Sequence, residues 1–174
     1  MRRLALFSCV LLLAGCSKSP APPSAPSGGN LTVTSSDFTD GSAIPSAFTC
    51  TGGGHRPTLA WSGVSAPAWA IVVDDPDAPG GDFYHWVVAD LPGSAATVGD
   101  SVPAGAHELR NSGGSTGWTP PCPPSGTHHY RFTVYALKGR TGIPADSSID
   151  DAFAKISSSA SAQGRLTGLV THTG

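Results

Sequence analysis

Tyr130-Arg131-Phe132-Thr133-Val134-Tyr135-Ala136-Leu137 is the stretch on which the fold turns. Tyr130, Phe132, Val134 and Ala136 fall on one face of an extended chain, with Arg131, Thr133 and Tyr135 on the other, the period of a β-strand. A second run, Trp69-Ala70-Ile71-Val72-Val73, is apolar on both faces, as a strand in the middle of a sheet would be. Around these two the chain breaks into short apolar runs separated by Gly, Pro, Asp and Ser. Leu31–Thr34, Thr58–Trp61, Ala68–Val73, Trp86–Asp90, Tyr130–Leu137 and Leu166–His172 read as strands. One helix is expected over Asp150–Ser158, capped by Asp146, Ser147 or Ser148, with Ile149, Phe153 and Ile156 on one stripe. Short strands at this spacing predict a mainly β domain, an antiparallel sandwich.

Composition agrees. The chain has 174 residues, with 22 Gly and 16 Pro, and only 13% of its residues are charged. A length of this order holds one domain. So many breakers exclude a coiled coil or a helical repeat. A formal net charge of −2 leaves no basic footprint for nucleic acid.

The first residues read as an address. Arg2 and Arg3 precede an apolar run, Leu4–Leu13, too short for the ~20 residues of a membrane-spanning helix. Leu13-Ala14-Gly15-Cys16 resembles the lipobox of bacterial lipoproteins, which implies cleavage before Cys16 and a diacylglyceryl group on its sulfur. Residues 1–15 are then a signal peptide, and the net charge moves from −2 to −4 because Arg2 and Arg3 leave with it. Residues 16–30 form the lipidated Cys and a Pro/Ser/Gly tether reaching ~40 Å at ~3.1 Å per residue. Residues 31–174 form the domain. The chain is expected to be exported and lipid-anchored to the cell envelope, at the outer membrane facing the periplasm in a two-membrane cell. Once Cys9 leaves and Cys16 is acylated, Cys50 and Cys122 remain. Outside the cytosol such a pair favours a disulfide, with two separate buried thiols as the alternative.

Three segments place ionisable groups at strand ends beside Pro-stiffened turns: Asp74-Asp75-Pro76-Asp77-Ala78-Pro79, His85-Trp86-Val87-Val88, and Pro120-Pro121-Cys122-Pro123-Pro124-Ser125-Gly126-Thr127-His128-His129-Tyr130. Each alone has a plain structural reading as a turn, a strand histidine or a core tyrosine. Together they suit a preformed pocket.

These motifs, with Leu91-Pro92, Arg110-Asn111-Ser112-Gly113, Pro57-Thr58-Leu59-Ala60-Trp61 and Gly164–Gly168, resemble the phosphatidylethanolamine-binding protein family and, more narrowly, its bacterial Raf-kinase-inhibitor-like branch. The resemblance implies a mainly β fold, a sandwich of two antiparallel sheets with one or two short helices near the C-terminus, and a small anion pocket at one end, formed by Asp75, Asp77, His85, Pro121, Gly126, His128 and Tyr130. It also implies departures. His129 stands where Arg is usual, Arg56 where Ser is usual, and Pro120 and Trp118 replace Gly and Tyr, altering the shape and charge of the rim. The expected ligand is a phosphorylated small molecule or a phospholipid head group, with no cofactor, no catalytic residue and an unidentified protein partner. The Asp side chains are expected to hydrogen-bond His85, His128 or backbone amides, and a nearby carboxylate favours imidazolium, so anion binding should strengthen below neutral pH. A metal-dependent hydrolase using Asp75, Asp77, His85 and His128 is the competing reading, and an interaction lipoprotein with a vestigial pocket is the third.

Overall fold

The computed structural model describes residues 30–172; the leader, Cys16 and nearly all of the tether lie outside them. Strands β1 (Thr32–Ser35), β2 (Leu59–Ser62) and β5 (Thr97–Val98) make a three-stranded sheet in the order β1-β2-β5. Strands β3 (Ala68–Asp75), β4 (Phe83–Pro92), β6 (His107–Glu108), β7 (Thr127–Leu137) and β8 (Ala160–Thr171) make a five-stranded sheet in the order β6-β4-β3-β7-β8. Every strand pair is antiparallel. The protein is therefore a two-sheet β fold, with one α-helix, α1 (Ile149–Ser159), near the C-terminus.

Period-two alternation sorts the large sheet into two buried faces. Trp69, Ile71 and Val73 of β3 join Phe132 and Val134 of β7 and Leu59 and Trp61 of β2 between the sheets. Ala68, Ala70 and Val72 face the other way, with Tyr135, Ile143 and the helix residues Ala152 and Ile156. Helix α1 covers that second face, which explains why β3 is apolar on both sides. Ser148 is its N-cap, the side-chain oxygen accepting from the Asp151 backbone N–H at 3.2 Å. Ile149 and Phe153 pack partly buried against the same cluster.

Several strands run beyond their expected limits. β3 continues through Asp74 and Asp75 and β7 begins at Thr127, because each polar side chain there finds a partner. β4 starts at Phe83 rather than Trp86, and β8 begins at Ala160, directly after the helix, rather than at Leu166. The glycines of β8 allow a close approach: a Cβ at Gly164 would lie 2.2 Å from the Leu31 carbonyl oxygen. The two-residue strands β5 and β6 carry no periodicity to read.

Cys50 and Cys122 are joined in a disulfide with a Cα–Cα separation of 5.4 Å. Both cysteines are exposed, so the buried-thiol alternative is corrected on both counts. The bridge ties the Thr49–Gly54 turn to the Pro-rich loop before β7, and the Cys50 N–H donates to the Pro121 carbonyl at 3.0 Å.

Candidate functional site

A β-bulge sets the geometry. Val73 pairs with Trp86, but the next residue, Asp74, pairs with Tyr84, so β4 has one residue more than β3 at that point. The extra residue is His85. Tyr84 packs on the helix side and Trp86 lies between the sheets. His85 meets Tyr130 of the inner face edge-on at 5.1 Å between ring centroids, and Phe83 at 4.7 Å. Two successive side chains of β4, His85 and Trp86, thus reach the same end of the sandwich interior.

Asp75, the last residue of β3, organises the cluster. Its Oδ2 accepts from His128 Nδ1 at 2.7 Å and its Oδ1 accepts from the Asp77 N–H at 2.9 Å. Both side chains of the Asp75–His128 pair are buried. Tyr130 lies beside them. Burial first, then the Asp75 charge and a hydrogen bond to it, raise the Tyr130 phenol above its ordinary value. His85 is anchored differently, its Nδ1–H donating to the Thr119 carbonyl at 2.8 Å. Burial lowers the His85 imidazole below its usual value; the Thr119 hydrogen bond and the Asp75 charge act against that without reversing it. Among the described residues neither imidazole uses its Nε2, and neither Nε2 is a buried orphan, so both remain open.

Asp75, His85, His128 and Tyr130 are brought together from β3, β4 and β7. Asp77 reaches them only through its backbone. Its carboxylate turns outward and accepts from both the backbone N–H and the Nδ1 of His129, at 2.8 and 2.7 Å. Those hydrogen bonds hold the Asp77 carboxyl below its ordinary range. Pro121 is buried and lines a cleft of about 240 Å³ whose walls include Thr49, the disulfide and Val170, and none of the cluster side chains. Gly126 sits exposed at the turn into β7 with φ +64°, its carbonyl accepting from the His172 N–H.

The expectation for Arg56 is corrected. It does not charge the rim: its side chain is 9% exposed, pairs with Glu108 at 2.6 Å and lies 4.4 Å from the centre of the Trp86 ring. Trp118 donates its Nε1–H to the Gly54 carbonyl and stands 6.4 Å from the His85 ring centre. Among the described residues no three His, Cys, Asp or Glu side chains are arranged to hold a metal ion.

Thr119 and Asn111 are the site residues that the sequence reading missed. Buried Asn111 donates to the Gly117 carbonyl and to Thr119 Oγ1, at 2.9 and 2.8 Å, fastening the loop whose Thr119 carbonyl holds His85. Thr119 holds His85 through its backbone carbonyl, which no side-chain type announces. Asn111 lay within the Arg110-Asn111-Ser112-Gly113 motif, but nothing there indicated burial.

A family model described as phosphatidylethanolamine-binding protein matches residues 34–171. The Mycobacterium tuberculosis protein LppC, which carries a lipoprotein name, is 45% identical over 153 residues, 86% of this chain and 74% of its own length. The solved structure of Escherichia coli YbcL, titled a member of the mammalian PEBP family, superposes with a TM-score of 0.78 at 30% identity, covering 82% of this chain and 99% of that one. A PEBP homolog of Chlamydia trachomatis, CT736, gives 0.75 at 28% identity over 82% and 98%.

Proposed function

This chain belongs to the phosphatidylethanolamine-binding protein family, and from that premise we propose that it is an exported, lipid-anchored binding protein rather than an enzyme. Its ligand is a phosphorylated small molecule or phospholipid head group, held in the dimple of Asp75, His85, His128 and Tyr130, and occupancy regulates a partner protein. The single observation that carries this reading is the pair of open imidazole Nε2 atoms beside a Tyr hydroxyl, each ring oriented through its Nδ1. Asp75 has its oxygens engaged with His128 and the Asp77 amide, so its role is to orient rather than to coordinate. The same engagement argues against a hydrolase that needs both carboxylates as metal ligands, since Asp77 faces His129 instead.

Anchoring is supported by the lipobox-like Leu13–Cys16 and by the lipoprotein name of the related LppC. No helix among the described residues is long and apolar enough to cross a membrane. Placement at the outer membrane in a two-membrane cell is part of the same proposal.

The test is a titration with inorganic phosphate and O-phosphoethanolamine, followed by NMR, on the wild type and on His85→Ala and His128→Ala. Shifts should concentrate at the ends of β3, β4 and β7, and each variant should lose at least tenfold in affinity, about 1.4 kcal/mol. Shifts on another face, or none, would leave a vestigial pocket as the better reading.

A further inference from the structure

Resting on that reading of the dimple, we propose that it takes an oxyanion only together with a proton, and so selects phosphomonoesters over sulfates and over the phosphodiesters of lipid head groups. The argument begins with the tautomer of His85. A backbone carbonyl can only accept, so the Thr119 oxygen 2.8 Å from Nδ1 fixes the ring hydrogen on Nδ1. In the neutral ring Nε2 then carries a lone pair. A bare oxyanion approaching Nε2 meets that lone pair; a P–OH group donates to it.

Among the described residues no permanent cation offsets this. The charged groups that act on His85 are Asp75 from β3 and His128 from β7. Its other neighbours, Phe83, Trp118, Thr119 and Tyr130, are uncharged. The guanidiniums packed against these strands are committed elsewhere. On the opposite face of the sheet Arg131 pairs with Asp74 and Asp82 and Arg165 donates to Thr133 Oγ1, while Arg56 is held by Glu108 and the Gly99 carbonyl. A dianion would therefore face the Asp75 carboxylate with no fixed positive charge to balance it.

One shared proton resolves the mismatch at His85. It lies between the ligand oxygen and His85 Nε2, and whichever atom holds it, the complex contains one proton more than the dianion and the neutral site apart. A phosphomonoester, with a second ionisation near pH ~6, brings that proton readily. A sulfate monoester has already lost its proton at such pH, and a phosphodiester has none to donate. Either would need solvent to protonate one of the two imidazoles, which burial opposes at His85.

Three ethanolamine derivatives make the test on the full chain: O-phosphoethanolamine, O-sulfoethanolamine, which differs from it only in the oxyanion, and glycerophosphoethanolamine, a diester that adds a glyceryl group. The monoester should bind about tenfold tighter for each pH unit from 8 to 6.5, with close to one proton taken up, read from the buffer dependence of the binding heat. The sulfate and the diester should bind at least tenfold more weakly at pH 7. Equal affinities, with signals of His85 and His128 shifting for all three, would overturn the proton requirement and leave the site reading intact. Absence of any shift at those imidazoles would overturn both. The imidazole nitrogen shifts of the free protein give an independent check, since a His85 hydrogen found on Nε2 would also end the proposal.

Discussion

Asp74 and Asp75 are neighbours in the chain and lie on opposite faces of one strand, and they end in opposite chemical situations. Asp74 faces the helix side, where Arg131 donates to it through Nε and Nη2 and also reaches Asp82 at 3.3 Å. Burial raises the Asp74 carboxyl above its ordinary value, while the Arg131 hydrogen bonds and charge pull the other way. Asp75 faces the interior, where its partner is an imidazole with a second nitrogen to spare. A guanidinium cannot give up its charge and spends its donors on the carboxylates, so the outer cluster is closed. An imidazole bonded through one nitrogen keeps the other for a ligand, so the inner cluster is open. The residue type opposite each aspartate decides which of the two keeps a nitrogen to spare.

Breaking the closed side should have the largest effect. Asp74→Ala leaves Arg131 half-buried with Asp82 alone, and should cost about 3 kcal/mol of unfolding free energy, read by urea denaturation, with phosphate affinity unchanged. A loss of binding without a loss of stability would mean that the two faces are not independent. Breaking the open side reverses the pattern. Asp75→Asn keeps the shape but removes the charge that orients His128, so O-phosphoethanolamine affinity should fall at least tenfold while stability drops by about 1 kcal/mol. Calorimetric titration and urea unfolding of the same sample separate the two.

The smallest effect sharpens the contrast through pH. In the fold His85 has its proton affinity lowered below the unfolded value of 6.5. Between the folded and unfolded values the unfolded chain binds the extra proton and the native one does not, so ligand-free stability should fall as pH drops below about 6.5. It should level off once the native imidazole also protonates. The decline should vanish in His85→Gln; a decline of the same size in that variant would assign it to another group.

The β3 and β7 strands were legible because their alternation carries the fold, and the helix because Ser148 and the Ile149–Phe153–Ile156 stripe follow helix rules. The cysteine pair was legible by compartment. Strand ends were read short because Asp74, Asp75 and His128 look like loop residues until their partners are known. Asp77 was assigned to the pocket and Arg56 to the rim by resemblance, and only the His129 and Glu108 contacts show where each charge goes: Asp77 outward, Arg56 inward.

Local pattern and residue chemistry, then, settled the β class and the helix and put Asp, His and Tyr groups at strand ends, since periodicity and side-chain type are properties of short segments. Tertiary structure alone decided that a single inserted residue in β4 brings His85 beside Tyr130, that a backbone oxygen 34 residues away fixes its tautomer, and that Asp75 rather than Asp74 meets an imidazole. Strand register and backbone carbonyls carry those decisions, and neither is written in the identity of any one side chain.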